Sequence, residues 1–431
     1  MGFCMLSIER STIIHTTQTN PLYTDRGELR FSIMDANGLP IPDATVSLRS
    51  PSSPTKVLEE LQTDSSGLTP VIQLAAPPVE LSLEETNNIQ PYSLYDVQVT
   101  AADFESTDVA GIQILSTTRS QQNVRLIRQG TTPFNPEIDI AAHTLYGNFP
   151  PKIAEAEIKP IEETGEIVLR RVVIPEFVVV HDGPPSDRSA ANYTVNYTDY
   201  IKNVASSEIY ATWPDSTIYA NVLAILSFTM NRIFTEWYRG KGYDFTITSS
   251  TAFDQKWTRG RNIFDRISQI VDDIFINYLS KPDILQPILT QYCDGKRVSC
   301  PEWLSQWGSK HLGDNGYSAI DILRNYYGDS IYINEANQVS GIPASWPGYT
   351  LGIGSSGEEV LQIQEQLNTI RTAYPLLPAI EEDGIYGEDT QNAVRLFQQI
   401  FELPQIGTVD RRTWYKISQI YVGVSKIAEL V

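Results

Sequence analysis

The apolar period of this chain changes once, and that change constrains its fold more than any other feature. Before residue 130 the apolar residues alternate with polar ones, as in Leu29, Phe31 and Ile33, and again in Ala44, Val46 and Leu48. A period of two belongs to strands with one buried face. From about Tyr197 to Tyr327 the pattern turns helical. One layer of structure cannot satisfy both periods, so the 431 residues predict several domains, each burying its own core. The expected class is multidomain α+β. A β-sandwich is expected over residues 1–130, a linker over 131–170, a central mixed α/β domain over 171–345 and a three-helix domain over 346–431.

Turn chemistry supports the first of these. Asp35-Ala-Asn-Gly38 and Thr63-Asp-Ser-Ser-Gly67 supply residues that tolerate positive φ or bond their own backbone. Further strands are expected at Leu68–Leu74, Tyr95–Val99, Val109–Ile114 and Val124–Ile127, and short strands with regular turn signals read as a sandwich. The segment 131–170 is rich in proline and acidic residues and should end in a strand, Glu166–Arg171. The apolar run Val172–Val180 then predicts one buried strand.

Charge excludes several functions. The chain has 32 Lys+Arg against 52 Asp+Glu, a net charge of −20, and the deficit is spread along its length. Phosphate binding needs clustered cations, so neither nucleic acid nor an anionic membrane surface is an expected partner. Apolar runs such as Val222–Phe228 are far too short to span a bilayer. The first ten residues lack a basic start and a long apolar core, so no secretory signal is expected. Three cysteines are too few for a disulfide scaffold. No Ser/His/Asp or Cys/His grouping suggests a nucleophilic hydrolase.

The central segment carries one residue with chemical promise. Ile201, Val204 and Ala205 mark the apolar face of a helix with a polar start at Thr198-Asp199, and Glu208 continues that face at i+7. A carboxyl held there loses hydration, stays protonated nearer neutrality and can act as a general acid. The plainer alternative is a helix-end glutamate paired with Lys or Arg. After Trp213-Pro214-Asp215-Ser216 a second helix should bury Ile218, Val222, Ile225, Leu226, Ile233, Phe234 and Trp237 as a stripe. A third, Asn262–Leu279, should bury Ile263, Ile267, Ile270 and Ile274. Cys293 and Cys300, with His311 after them, leave three readings open: a disulfide, free thiols, or a structural zinc held by all three. Cys4, His15 and His143 carry no pattern, and His181 reads as a turn histidine.

Three resemblances follow from these residues. Residues 38–48 with Thr63–Gly67 resemble carboxypeptidase-regulatory-like (transthyretin-like) modules, which implies a spacer or adhesive unit. Tyr200-Ile-Lys-Asn-Val-Ala-Ser-Ser-Glu208-Ile resembles the Tyr-Leu-x-Gly-Val-Val-x-x-Glu-Met signature of the SpoIID/LytB family. Leu304-Ser-Gln-Trp-Gly308, Gly316-Tyr and Ile322-Leu-Arg-Asn-Tyr-Tyr-Gly328 resemble that family's closing segment. The resemblance implies a lytic transglycosylase acting on peptidoglycan, with Glu208 as its catalytic acid, no required cofactor, and Tyr200, Ser305 and Gln306 at the substrate. It also implies the zinc alternative at Cys293, Cys300 and His311. Ser227, Asn203 and Cys300 depart from the family pattern, where Arg, Gly and His stand. The third resemblance is to peptidoglycan-binding domain 1, carried by Gly357-x-x-Val360-x-x-x-Gln364-x-x-Leu367, Asp383-Gly-x-x-Gly387-x-x-Thr390, Ala393-Val-x-x-Phe-Gln398 and Thr413-Trp414. It implies glycan strands as partner and a groove near Asp383 and Tyr386. A wall-directed chain without a signal implies spore deposition, lysis or a tail-like injection device as its route, with envelope, spore or device proteins as further partners. A non-catalytic wall-binding or amidase-enhancing role is the alternative function.

Overall fold

Residues 23–131, 137–159 and 171–428 are described by a computed structural model; Cys4, His15 and, but for Arg171, the expected strand Glu166–Arg171 lie outside them. The alternation before residue 130 builds β1 (Asp25–Asp35), β2 (Thr45–Ser50), β3 (Ser53–Gln62), β4 (Ile72–Ala76), the one-turn helix α1 (Glu80–Leu83), β5 (Ser93–Thr100), β6 (Thr107–Ile114), β7 (Arg119–Leu126) and β8 (Glu137–Asp139). One sheet runs β3-β2-β5-β6-β8, and β7-β1-β4 belong to the other. Leu29, Phe31, Ile33, Val46, Leu48, Val97 and Val109 share the core between them. Strand β3 escaped the sequence reading because its outer residues are mostly exposed and show no alternation.

The central unit contains β9 (Val173–Ile174), β10 (Phe177–His181), β11 (Asn192–Asn196), α2 (Tyr197–Glu208), α3 (Asp215–Phe234), β12 (Ile247–Thr248), β13 (Ile263–Phe264) and α4 (Asp265–Ile274). It continues with β14 (Asn277–Ser280), β15 (Tyr292–Cys293), β16 (Leu304–Ser305), α5 (Gln306–Asp314), α6 (Ala319–Tyr327), β17 (Tyr332–Glu335) and β18 (Gln338–Val339). Helix α3 is its axis. Of the expected stripe it buries Ile218, Val222, Ile225, Leu226 and Phe234, whereas Ile233 is half-buried and Trp237 lies beyond its end. It also buries Thr217, Asn221, Ser227, Thr229 and Asn231, because α2, α4, α5, α6 and β14 contact it from several sides. Several of its polar side chains find partners: Asn221 donates to Ser309 Oγ at 2.8 Å and Thr229 to the Ile225 carbonyl at 2.9 Å. A helix enclosed this way needs no polar face.

Three sequence expectations are corrected here. The run Val172–Val180 is not one strand, because Pro175 separates β9 from β10. The helix expected over Asn262–Leu279 shrinks to α4. Its first residues become β13, which pairs with Ser120 and Gln121 of β7 and completes the sandwich's second sheet. Asn262 fixes that junction, donating to the Gln113 carbonyl at 2.8 Å and to Ser120 Oγ at 3.1 Å. The segment 131–170 is no free linker over its described part. Strand β8 pairs with β6, Ile153 N–H donates to Ala252 O, and Glu155 N–H donates to Gln291 Oε1. These backbone bonds tie it to the two units it joins.

The last unit is α7 (Glu358–Ile370), α8 (Glu388–Ile400) and α9 (Arg411–Ala428) around Val360, Ile363, Leu367, Val394, Phe397 and Trp414. Two buried glutamines clasp its turns in the same way. Gln364 donates to Asp383 Oδ1 (2.9 Å) and Thr390 Oγ1 (3.2 Å) and accepts from Gly384 N–H (2.8 Å). Gln398 donates to Thr408 O (2.9 Å) and Thr413 Oγ1 (3.1 Å) and accepts from Gly407 N–H (2.8 Å). Gly384 and Gly407 have φ of +69° and +68°, a conformation that favours glycine. The unit docks on its neighbours through Arg412–Asp273 (2.8 Å) and Arg30–Glu402 (2.7 Å).

Candidate active site

Glu208 is the last residue of α2 and is 3% exposed. It sits at a cleft lined also by Phe149, Lys152, Tyr292, Arg297 and Gln306. The loop between β12 and β13 reaches its carboxylate. Lys256 N–H donates to Glu208 Oε1 at 2.6 Å, while Oε2 is buried beside the Tyr292 hydroxyl, whose hydrogen-bonding pull favours the carboxylate. Burial pushes the Glu208 carboxyl above the usual range. Lys152 and the Lys256 N–H favour the ionised form, and they do not outweigh desolvation. Such a carboxyl can hold a proton and deliver it to a substrate oxygen.

Asn203 and Ser227 each tie a helix to a neighbouring segment. Asn203 accepts from Thr258 N–H (2.9 Å) and donates to the Thr258 carbonyl (2.8 Å), tying α2 to the segment that carries Lys256. Ser227 accepts from Leu279 N–H at 2.6 Å, tying α3 to β14. The same loop is held from below by Asp254, which is fully buried and accepts from Thr248 N–H, Tyr238 Oη and Arg232 Nε.

The other sequence-derived site residues divide. Gln306 lines the cleft. Tyr200 does not: it is wholly buried behind Glu208, with its hydroxyl donating to Gln255 Oε1 at 3.0 Å, so its assignment to substrate is corrected. Ser305 caps α5 by accepting from Gly308 N–H. In the C-terminal unit Tyr386 is 1% exposed and donates to the Gly407 carbonyl, which makes it a framework residue rather than a groove residue. Asp383 is exposed, but its Oδ1 holds the turn against Gln364 and Ile385 N–H. Ile353, Ile385 and Ile406 are the exposed apolar side chains beside these turns. His181 is buried on β10, with Nδ1 2.8 Å from Asn192 Oδ1.

The zinc alternative is corrected by the sulfur geometry. Cys293 and Cys300 form a disulfide, with Cα atoms 5.7 Å apart, and sulfurs bonded to each other are not thiolate ligands. His311 is exposed on α5, near Asn315. Among the described residues no group of three His, Cys, Asp or Glu side chains is arranged to hold a metal ion. The disulfide closes a loop beside the cleft with a sequence separation of 7, worth about 2–3 kcal/mol by loop closure. Reductant should therefore lower the thermal midpoint, and a metal chelator should leave it unchanged. Elemental analysis finding one zinc per chain would reverse this assignment.

Sequence reasoning missed Lys152 and Tyr292. Lys152 lies in the segment expected as a linker, and Tyr292 adjoins Cys293 with no motif of its own. Only the fold brings either to Glu208. Among the described residues no helix is long and apolar enough to cross a membrane.

Residues 356–417 match the peptidoglycan binding domain family. No curated protein matches the chain. Among solved structures, the SleB N-terminal domain is 29% identical over 17% of this chain and 93% of its own, with a TM-score of 0.15. The minor pilin GBS52 of Streptococcus agalactiae is 15% identical over 26% of this chain and 48% of its own, with a TM-score of 0.18. Catechol 1,2-dioxygenase of Acinetobacter radioresistens is 13% identical over 26% of this chain and 57% of its own, also with a TM-score of 0.18. The C-terminal helical region contains a peptidoglycan-binding domain, and cell-wall association follows from it.

Proposed function

We propose that this protein is a lytic transglycosylase that its C-terminal domain directs to peptidoglycan, where Glu208 cleaves MurNAc–GlcNAc bonds. The observation that carries the reading is Glu208 itself, a desolvated carboxyl at a cleft, with no cation paired to its Oε2 among the described residues. Its proton passes to the glycosidic oxygen as the C1–O bond breaks and positive charge grows on the sugar ring. The MurNAc 6-hydroxyl then attacks the same C1, and its proton returns to Glu208. The products are a 1,6-anhydro end and a free GlcNAc hydroxyl, with no water consumed. Because the nucleophile belongs to the substrate, a second catalytic carboxylate is not needed. The SpoIID/LytB resemblance over about 172–345 supports the same assignment, and the transthyretin-like resemblance makes the N-terminal sandwich a spacer or adhesive unit. Spore, envelope or tail-device proteins are its proposed partners.

One observation favours a second reading, a non-catalytic wall-binding or amidase-enhancing protein. Glu208 is only 3% exposed, and a substrate has to reach Oε2 past the cleft walls. Incubation with purified sacculi separates the two. The full chain should sediment with the sacculi, and soluble glycan fragments should accumulate. Sedimentation without fragments supports the second reading, and a chain left in the supernatant contradicts both.

A further inference from the structure

Lys152 reaches the cleft from the segment between β8 and β9, outside every motif in the chain. Its stem is partly exposed while its ammonium turns inward, donating to the Asp254 carbonyl. The ammonium lies 4.9 Å from the centre of the Phe228 ring and 5.0 Å from that of Tyr292. An ammonium is strongly hydrated, and exchanging water for one carbonyl and two ring faces is costly unless something else gains from the charge. Burial accordingly pulls this lysine down to about 8, against the opposing pull of Glu208, Asp254 and Glu155. Arg232 adds to the depression. Asp254 and Glu155 are already engaged by Arg232. Glu208 lines the same cleft as Lys152 and has Lys256 and Tyr292 as its other charged or titratable neighbours, but among the described residues no cation forms an ion pair with Oε2.

We propose that Lys152 is the positioning cation of this site, the counter-charge that the Glu208 carboxylate needs each time its proton has left. The inference rests on the proposed acid–base role of Glu208, but its test does not require turnover. Lys152 lowers the cost of the ionised state that exists between proton donation and proton return. Removing it makes Glu208 a weaker acid. The carboxyl then stays protonated to higher pH, the alkaline limb of cleavage moves up, and turnover falls because the carboxylate left after donation is unsupported.

The measurement is an infrared titration of the Glu208 carboxyl in the full chain, with no glycan present. Its signal is isolated as the difference between each protein and its Glu208→Gln counterpart. Lys152→Met should move the midpoint up by about one pH unit or more, a tenfold weaker acid. Lys152→Arg keeps a cation and should stay near wild type. Lys152→Gln keeps a donor for the Asp254 carbonyl without the charge, and it serves if the Met variant does not fold. A midpoint unmoved in a folded Met or Gln variant overturns the proposal. A midpoint that moves in a protein that cleaves nothing keeps the counter-charge and removes the enzyme reading. Cleavage with an unmoved midpoint does the reverse.

Discussion

Glu208→Gln should slow release of glycan fragments from sacculi on the order of 100-fold or more, while sedimentation with the wall stays unchanged. The amide preserves the shape of the side chain, and its oxygen still accepts from Lys256 N–H, the bond that Glu208 makes at 2.6 Å. It can neither give up a proton nor take one back, and losing a general acid–base typically costs that much. Folding should not suffer, because a neutral amide replaces a carboxyl that burial already disfavours as an anion. The thermal midpoint is therefore expected to hold or rise. Equal rates for the two proteins would mean that Glu208 is an ordinary helix-end residue.

Asp254→Ala should be the most destabilising single change in the central unit, by about 3–5 kcal/mol in denaturant unfolding. Asp254 is fully buried and meets Arg232 Nε at 2.6 Å, Tyr238 Oη at 2.7 Å and Thr248 N–H at 2.9 Å. Truncating it leaves the buried Arg232 guanidinium with only Glu155 and the Phe253 carbonyl as partners. With Thr248 Oγ1, which also donates to Asp254, four donors lose their acceptor at once, and each buried orphan carries its own desolvation cost. The exposed Arg266–Asp215 pair supplies the control, since its side chains are 42% and 59% exposed. Asp215→Ala should change stability by less than about 1 kcal/mol. The Asp254 change should also reduce activity in whatever protein stays folded, because the loop it anchors delivers Lys256 N–H to Glu208. A loss under about 1 kcal/mol would show that this network does not hold the loop.

Local patterns were legible in this sequence where one face of an element decided its fate. The alternation at Leu29, Phe31 and Ile33 gave a strand, and Ile201, Val204 and Ala205 gave a helix with Glu208 on its buried face. The Gln364 and Gln398 signatures gave a helical unit whose turns they clasp. Long-range pairing was not legible. Nothing local says that Ile263-Phe264 should leave a helical pattern to join the sandwich, because the decision lies with Asn262 and its partners on β6 and β7. The same holds for Lys152, which sits among prolines and acidic residues and acquires meaning only where the Asp254 carbonyl captures it. Motif residues also misled in one respect. Tyr200 and Tyr386 lie within the motif segments, each donating a buried hydrogen bond, and spacing alone does not separate such residues from ones that touch a ligand.

Product identity tests the central claim most directly. Purified sacculi should be digested with the full chain, and the soluble fragments separated and weighed by mass spectrometry without prior reduction. The account predicts fragments ending in 1,6-anhydro-MurNAc, 18 Da lighter than the hydrolytic products by the water that never enters, and their near absence with Glu208→Gln (on the order of 100-fold less). Reducing-end MurNAc would contradict it by showing hydrolysis through a second group, and sacculi that bind the protein and release nothing would leave it a wall-binding protein.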